Sequence, residues 1–263
     1  MRNTGRLMEK RGQLTIFIIA AIIIVVIALI MFFWGDINAL FNPVSPQDYV
    51  KSCIDKNAQE ALSLMKTGGS INPENYLLYG GEKVEYLCYT NEYYKTCAMQ
   101  QPLLKQHVEQ EINNYLSGKI RDCVSGLKTN LEKKGYTVSL GNVETSVEIV
   151  PGKLNIETTA PMTITMEAAS SFDKFSSLQD TKLYDLIMIS SSILNWEARY
   201  GDSESTAYMN YYPDIKVEKI LKEDGNKVYI LTDRNTEDSF KFATRSLAWP
   251  AGLGYGQTNT PTR

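Results

Sequence analysis

The sequence predicts an α+β protein: an N-terminal transmembrane helix, then an extracytoplasmic domain with three main helices and an antiparallel sheet. Three observations lead there. Twenty-one residues, Leu14 to Trp34, pass without a charge. Beyond them, apolar residues recur first at helical spacing and then at every second position. Four cysteines, an even number, all lie in that later part. Helices followed by strands, a helix and more strands define the class.

The charge-free run comes first. At about 1.5 Å rise per residue it reaches about 30 Å, the thickness of bilayer hydrocarbon. Phe32, Phe33 and Trp34 close it as an interfacial aromatic belt would. A buried core helix of this length carries a polar stripe, and this run has none. Arg2, Arg6, Lys10 and Arg11 precede it and Asp36 follows. The positive-inside rule then sets the N-terminus in the cytoplasm and the remainder outside. The apolar core is longer than that of a removable signal, so the segment reads as a retained anchor. The expected organisation is a basic leader over 1–13, the transmembrane helix over 14–34 and a linker over 35–45. A helical, disulfide-bearing subdomain covers 46–135, a sheet with a helix 136–250, and a disordered tail 251–263.

The residues Lys10-Arg11-Gly12-Gln13-Leu14-Thr15-Ile16-Phe17 run straight into the apolar helix. This segment resembles the class III signal peptides of archaeal type IV pilin-like proteins, over about twenty residues of the chain. The resemblance implies a processing site between Gly12 and Gln13. It also implies kinship with archaeal RGQ-type, single-anchor membrane proteins to which no function is attached. Filament-forming members carry Glu at the fifth residue after the cut, where this chain has Phe17.

In the outer part, Ser45-Pro46 reads as a helix cap followed by proline at the first helical position. The helix runs to about Lys66 and stops at Gly68-Gly69. A loop with Gly80-Gly81 leads to a hairpin around Cys88 and Cys97. A second helix runs from Pro102 to Lys134. Strands over Tyr136–Leu140, Val143–Val150, Lys153–Thr158 and Met162–Ala168 follow, separated by Gly141-Asn142, Pro151-Gly152 and Ala160-Pro161. The third helix spans about Leu178 to Tyr200 and packs on one face of a single antiparallel sheet. Ile215–Leu221, Val228–Thr232 and Phe240–Thr244 complete that sheet, with a turn at Asp224-Gly225-Asn226.

Cysteines in an oxidising compartment pair. Four cysteines allow three connectivities, and the favoured one joins Cys88 to Cys97 across a short hairpin and Cys53 to Cys123 between two helices. The spacings of 35, 9 and 26 positions contain no C-x2-C knuckle, which disfavours zinc.

The net charge of −3 offers no basic surface for nucleic acid. The sequence holds no G-x-S-x-G, P-loop, G-x-G-x-x-G or H-E-x-x-H motif, and no cofactor is implied. His107, the sole histidine, reads as a solvated surface residue. Asp233, Asn235, Glu237 and Asp238 alternate like the opening of a calcium loop, but Asp238 stands where glycine is needed, so a polar turn is the reading. Tyr76, Tyr79, Tyr86, Tyr89, Tyr93 and Tyr94 fall within nineteen residues. They either pack the hairpin or form a binding surface, since tyrosine joins rigid area to a hydroxyl. The leading functional expectation is a non-enzymatic, single-pass surface protein whose partners are the lipid bilayer and other envelope or surface proteins. A pilin-like filament subunit is the alternative, and an anchored extracytoplasmic hydrolase ranks third.

Overall fold

The computed structural model describes residues 9–32 and 45–248. The aromatic belt beyond Phe32, the linker up to Pro43, most of the leader and the tail lie outside the described residues. The chain divides into two units, Met1–Asp48 and Tyr49–Arg263. In the first, helix α1 runs from Glu9 to Phe32. Its side chains are described over 18–29 and at 31, and every one is exposed. Among the described residues no helix is long and apolar enough to cross a membrane. The span read from the sequence includes Leu14–Phe17 and Phe33–Trp34, whose side chains lie outside that set.

The second unit is α+β. Helix α2 (Pro46–Leu64) begins as its cap residue predicts: Ser45 Oγ accepts the Asp48 N–H at 3.1 Å and donates to the Asp48 carboxylate at 2.6 Å. A 3-10 turn over Met65–Thr67 ends it. Strands β1 (Tyr76–Tyr79) and β2 (Glu82–Tyr89) form a hairpin, and β3 (Ala98–Met99) pairs with the end of β2. Helix α3 (Leu104–Lys133) follows, buried along Leu104, Val108, Ile112, Leu116, Ile120, Val124 and Leu127, an i, i+4, i+8 stripe. Then come β4 (Thr137–Leu140), β5 (Glu144–Val150), β6 (Lys153–Thr165) and β7 (Ala169–Asp180). Helices α4 (Leu183–Tyr200) and α5 (Ser205–Tyr211) precede β8 (Ile215–Leu221), β9 (Asn226–Asp233) and β10 (Ser239–Arg245).

Among the described residues there are two sheets, not the single one expected. One is six-stranded, in the order β1-β2-β10-β9-β8 with β3 also on β2. Its β2–β10 pair is parallel, matching Tyr86 with Ala243 across the whole domain. The continuous buried run Val84–Cys88 explains why β2 sits inside the sheet: it has no wet face. The other sheet is four-stranded and antiparallel, with β6 flanked by β4 and β5 on one edge and β7 on the other. β6 runs unbroken through Ala160-Pro161, where two strands were expected. The β6–β7 register shifts between Thr159 and Met162, and Pro161 sits in that bulge, where its missing N–H costs no ladder bond. β7 occupies 169–180, so the third helix starts at Leu183 and not near Leu178.

Helix α4 touches β2, β3, β9 and β10 of the larger sheet, β5 of the smaller one, and α3. The main core runs through this junction. A smaller apolar cluster of Val84, Tyr86, Val228 and Ala243 lies apart from it. Both bridges form as the spacing implied, Cys53–Cys123 with Cα atoms 6.5 Å apart and Cys88–Cys97 at 5.3 Å. All four cysteines are therefore paired.

Candidate binding site

A concavity lies where α5 packs over the outer side of α4. The inward side of α4 is spent on the core through Leu186, Ile187, Ile193 and Leu194. That leaves Met188, Ser192 and Trp196 facing outward at helical spacing. After α4, Gly201 takes a left-handed conformation that ends the helix. The chain turns back, and the Glu204 carboxylate caps the first turn of α5 by accepting the Thr206 N–H at 3.0 Å. This returns Tyr208, Tyr211 and Tyr212 to the α4 surface. Tyr208 OH and Ser192 Oγ are 3.0 Å apart and tie the two helices together.

Two cavities share the walls Ser192, Tyr208, Tyr211 and Tyr212. One, of about 550 Å³, is completed by Trp196, Ser203, Glu204 and Ala207. The other, of about 660 Å³, is completed in part by Lys182, Asp185, Met188 and Asp214. Trp196 is 51% exposed and Tyr211 83%, so ring area of the kind that folding usually covers faces solvent here. Ser203 is only 2% exposed, and its Oγ has no hydrogen-bond partner among the described residues. Burial and hydrogen bonding act in opposite directions on the carboxyl of Glu204, and the Thr206 N–H wins, holding it below its ordinary value.

The six tyrosines singled out in the sequence divide. Tyr76 and Tyr79 lie on β1, with Lys83 Nζ 4.6 Å over the first ring and Lys222 Nζ 5.2 Å over the second. Tyr86 is buried, donates its hydroxyl to Asn226 at 2.8 Å, and meets Tyr89 edge-on at 5.0 Å. Burial pushes the Tyr86 phenol up. Tyr93 and Tyr94 are exposed in the loop closed by the Cys88–Cys97 bridge. Tyr79, Tyr86 and Tyr89 thus belong to the smaller apolar cluster.

His107 is half-buried and not a solvated surface group. Its Nε2 is 2.8 Å from Ser70 Oγ, which also donates to Glu85 Oε1 at 2.8 Å. The Ser70 and Ile71 N–H groups donate to Glu85 and Glu111, both at 3.0 Å. Burial raises the Glu85 carboxyl to about 7 and lowers the His107 imidazole. Ser70 lies between the acid and the base, and both Ser70 and Glu85 are buried, so the trio holds the loop after α2 against β2 and α3.

The acidic turn after β9 is a polar turn. Asp233 Oδ1 accepts the N–H groups of Asn235 and Thr236 at 2.9 and 2.8 Å. Asp238 accepts the Lys182 N–H at 2.7 Å, at the start of α4. Among the described residues no cluster of ligating side chains could hold a metal ion.

The groove residues went unread in the sequence because α5 has only seven residues. The signal was present: Tyr208, Tyr211 and Tyr212 crowd five positions just beyond the glycine that ends α4. No family model, no curated protein and no solved structure matches this chain.

Proposed function

We propose that this chain is a single-pass, membrane-anchored protein whose disulfide-bonded domain stands outside the cytoplasm and binds a partner through the α4–α5 groove, without catalysis of its own. The observation that carries the reading is a fully disulfide-paired domain following a charge-free run with basic residues before it. Disulfides persist in oxidising compartments, and the basic flank marks the opposite side. The exposed apolar side chains of α1 support the anchor, because such a surface is stable in lipid and costly in water. The groove supports the binding role. Its rings give rigid contact area at little entropic cost, as recognition surfaces require. The Gly12-Gln13 site and the pilin-like resemblance belong to a second question, namely whether the anchor is trimmed before it settles in the membrane.

The test is protease protection. With sealed cells, added protease should digest the domain while a fragment containing α1 stays in the membrane pellet after alkaline extraction. A chain released by alkali, or a domain protected until the cells are broken, would overturn the proposal.

A further inference from the structure

The groove is unequal in charge and in hydrogen-bonding character. Among its lining residues Asp185, Glu204 and Asp214 carry three negative charges against the one positive charge of Lys182. Asp233 lines the larger cavity too and adds to that negative excess; its carboxylate, like that of Glu204, also accepts N–H groups of its own turn, so Asp185 and Asp214 are the carboxylates offered to an occupant. Carboxylates only accept hydrogen bonds, so an occupant must bring donors. Trp196, which also meets the Tyr200 ring at 5.0 Å, and Tyr211 and Tyr212 leave ring area exposed, and the negative face of an aromatic quadrupole attracts cations. At the wall of the smaller cavity, the buried Oγ of Ser203 has no partner among the described residues and can both donate and accept. Charge and ring area favour the same chemistry, and the orphan hydroxyl leaves a polar atom for an occupant to meet.

We propose that the groove takes a cationic, extended segment of a partner protein, presenting arginine or lysine side chains to the rings and carboxylates. This rests on the reading of the groove as a binding site. An anion is repelled by three carboxylates. A neutral sugar could stack on the rings and donate hydroxyls, but it gains nothing from the excess negative charge. A guanidinium uses every feature at once: it stacks on an aromatic face and forks onto a carboxylate. The two adjoining cavities make the groove long enough for more than one side chain, which suits an extended peptide better than a single small cation.

The full chain in detergent micelles, titrated with a synthetic peptide of alternating arginine and glycine, provides the test. The emission of Trp196 should change saturably, and a Trp196→Phe variant should lose that signal. The midpoint should rise about threefold or more as NaCl goes from about 50 to about 300 mM, because exposed pairs are screened. The double variant Asp185→Asn/Asp214→Asn keeps the shape and should weaken binding about three- to tenfold. A glutamine-for-arginine peptide and a neutral hexasaccharide are the counter-probes. Equal binding of the glutamine peptide, indifference to salt, or binding of the sugar instead would end the cationic inference and leave the groove a binding site. No response to any of the three would overturn both readings.

Discussion

Ser70 holds one hydroxyl between the Glu85 carboxyl and the His107 imidazole, and the protonation of that trio bears on stability. With Glu85 neutral, its O–H donates to Ser70 and Ser70 donates to His107 Nε2. With Glu85 ionised, Ser70 turns its hydrogen toward the carboxylate, as the geometry allows. Unfolded, Glu85 ionises near 4.5; folded, near 7. Between those values the folded state keeps a proton that the unfolded state has lost. Stability from this group is therefore full below the unfolded value and is lost as pH rises through about 7, by up to about 3 kcal/mol. His107 runs the other way. Its value is lowered, so its share is present above the unfolded value and fades as pH falls through the folded one. A Glu85→Gln variant should flatten the loss of stability between about pH 5 and about pH 8. Urea midpoints at both ends decide it, and an unchanged slope would remove Glu85 as the cause. Gly68 beside it has φ +120°, and a Cβ there would come 2.3 Å from Cβ of Glu85. Gly68→Ala should cost about 2 kcal/mol or more on both grounds, read by thermal denaturation. None of this was legible in the sequence, where Ser70, Glu85 and His107 are far apart and join only when β2 meets α3.

At the scale of elements, α4 is joined to the larger sheet by a buried charge. Glu197 is fully buried and meets Lys227 Nζ on β9 at 2.9 and 3.0 Å, while Tyr229 OH donates to it at 2.5 Å. Lys227 also reaches Asp202 at 2.8 Å. Burial pushes the Glu197 carboxyl up, and the ammonium works against that rise. Lys227→Met leaves Glu197 buried without its partner and should cost about 3 to 5 kcal/mol, whereas replacing both partners by apolar groups should cost much less. A denaturation double-mutant cycle separates the two. The bridges rank by loop length. Cys53–Cys123 spans 70 positions and Cys88–Cys97 spans 9. Chain entropy then gives about 4 kcal/mol for the first and between about 2 and 3 for the second. Paired Cys→Ser variants should lower the melting temperature in that order. Helices α2 and α3 and the hairpin bridge were readable because periodicity, the Ser45-Pro46 start and the short Cys88–Cys97 spacing act locally, whereas the Cys53–Cys123 pairing rested on both residues falling on predicted helices. β7 was not readable: Ser170, Ser171, Asp173 and Lys174 are poor strand formers, and pairing with β6 overrides their preference. β1 was missed although Gly80-Gly81, both at positive φ, mark a two-residue hairpin turn.

For the whole molecule, the α+β class could be read from the order of periodicities, but the division into two sheets could not. A parallel pairing of β2 with β10 joins segments more than 150 positions apart, and no local pattern announces it. The groove was hidden for the same reason, since it exists only once α5 folds back on α4. The aromatic-rich hairpin that drew attention in the sequence instead gives three of its rings, Tyr79, Tyr86 and Tyr89, to a small apolar cluster. The proposal is an oxidised domain outside the cytoplasm, held by α1. Its most direct test is the intact mass of the protein extracted from membranes under acid quench, before and after reduction. The account predicts a gain of two hydrogens for each of the two bridges, in material that partitions with the membrane. No gain on reduction would mean free thiols and a reducing compartment, and would contradict it.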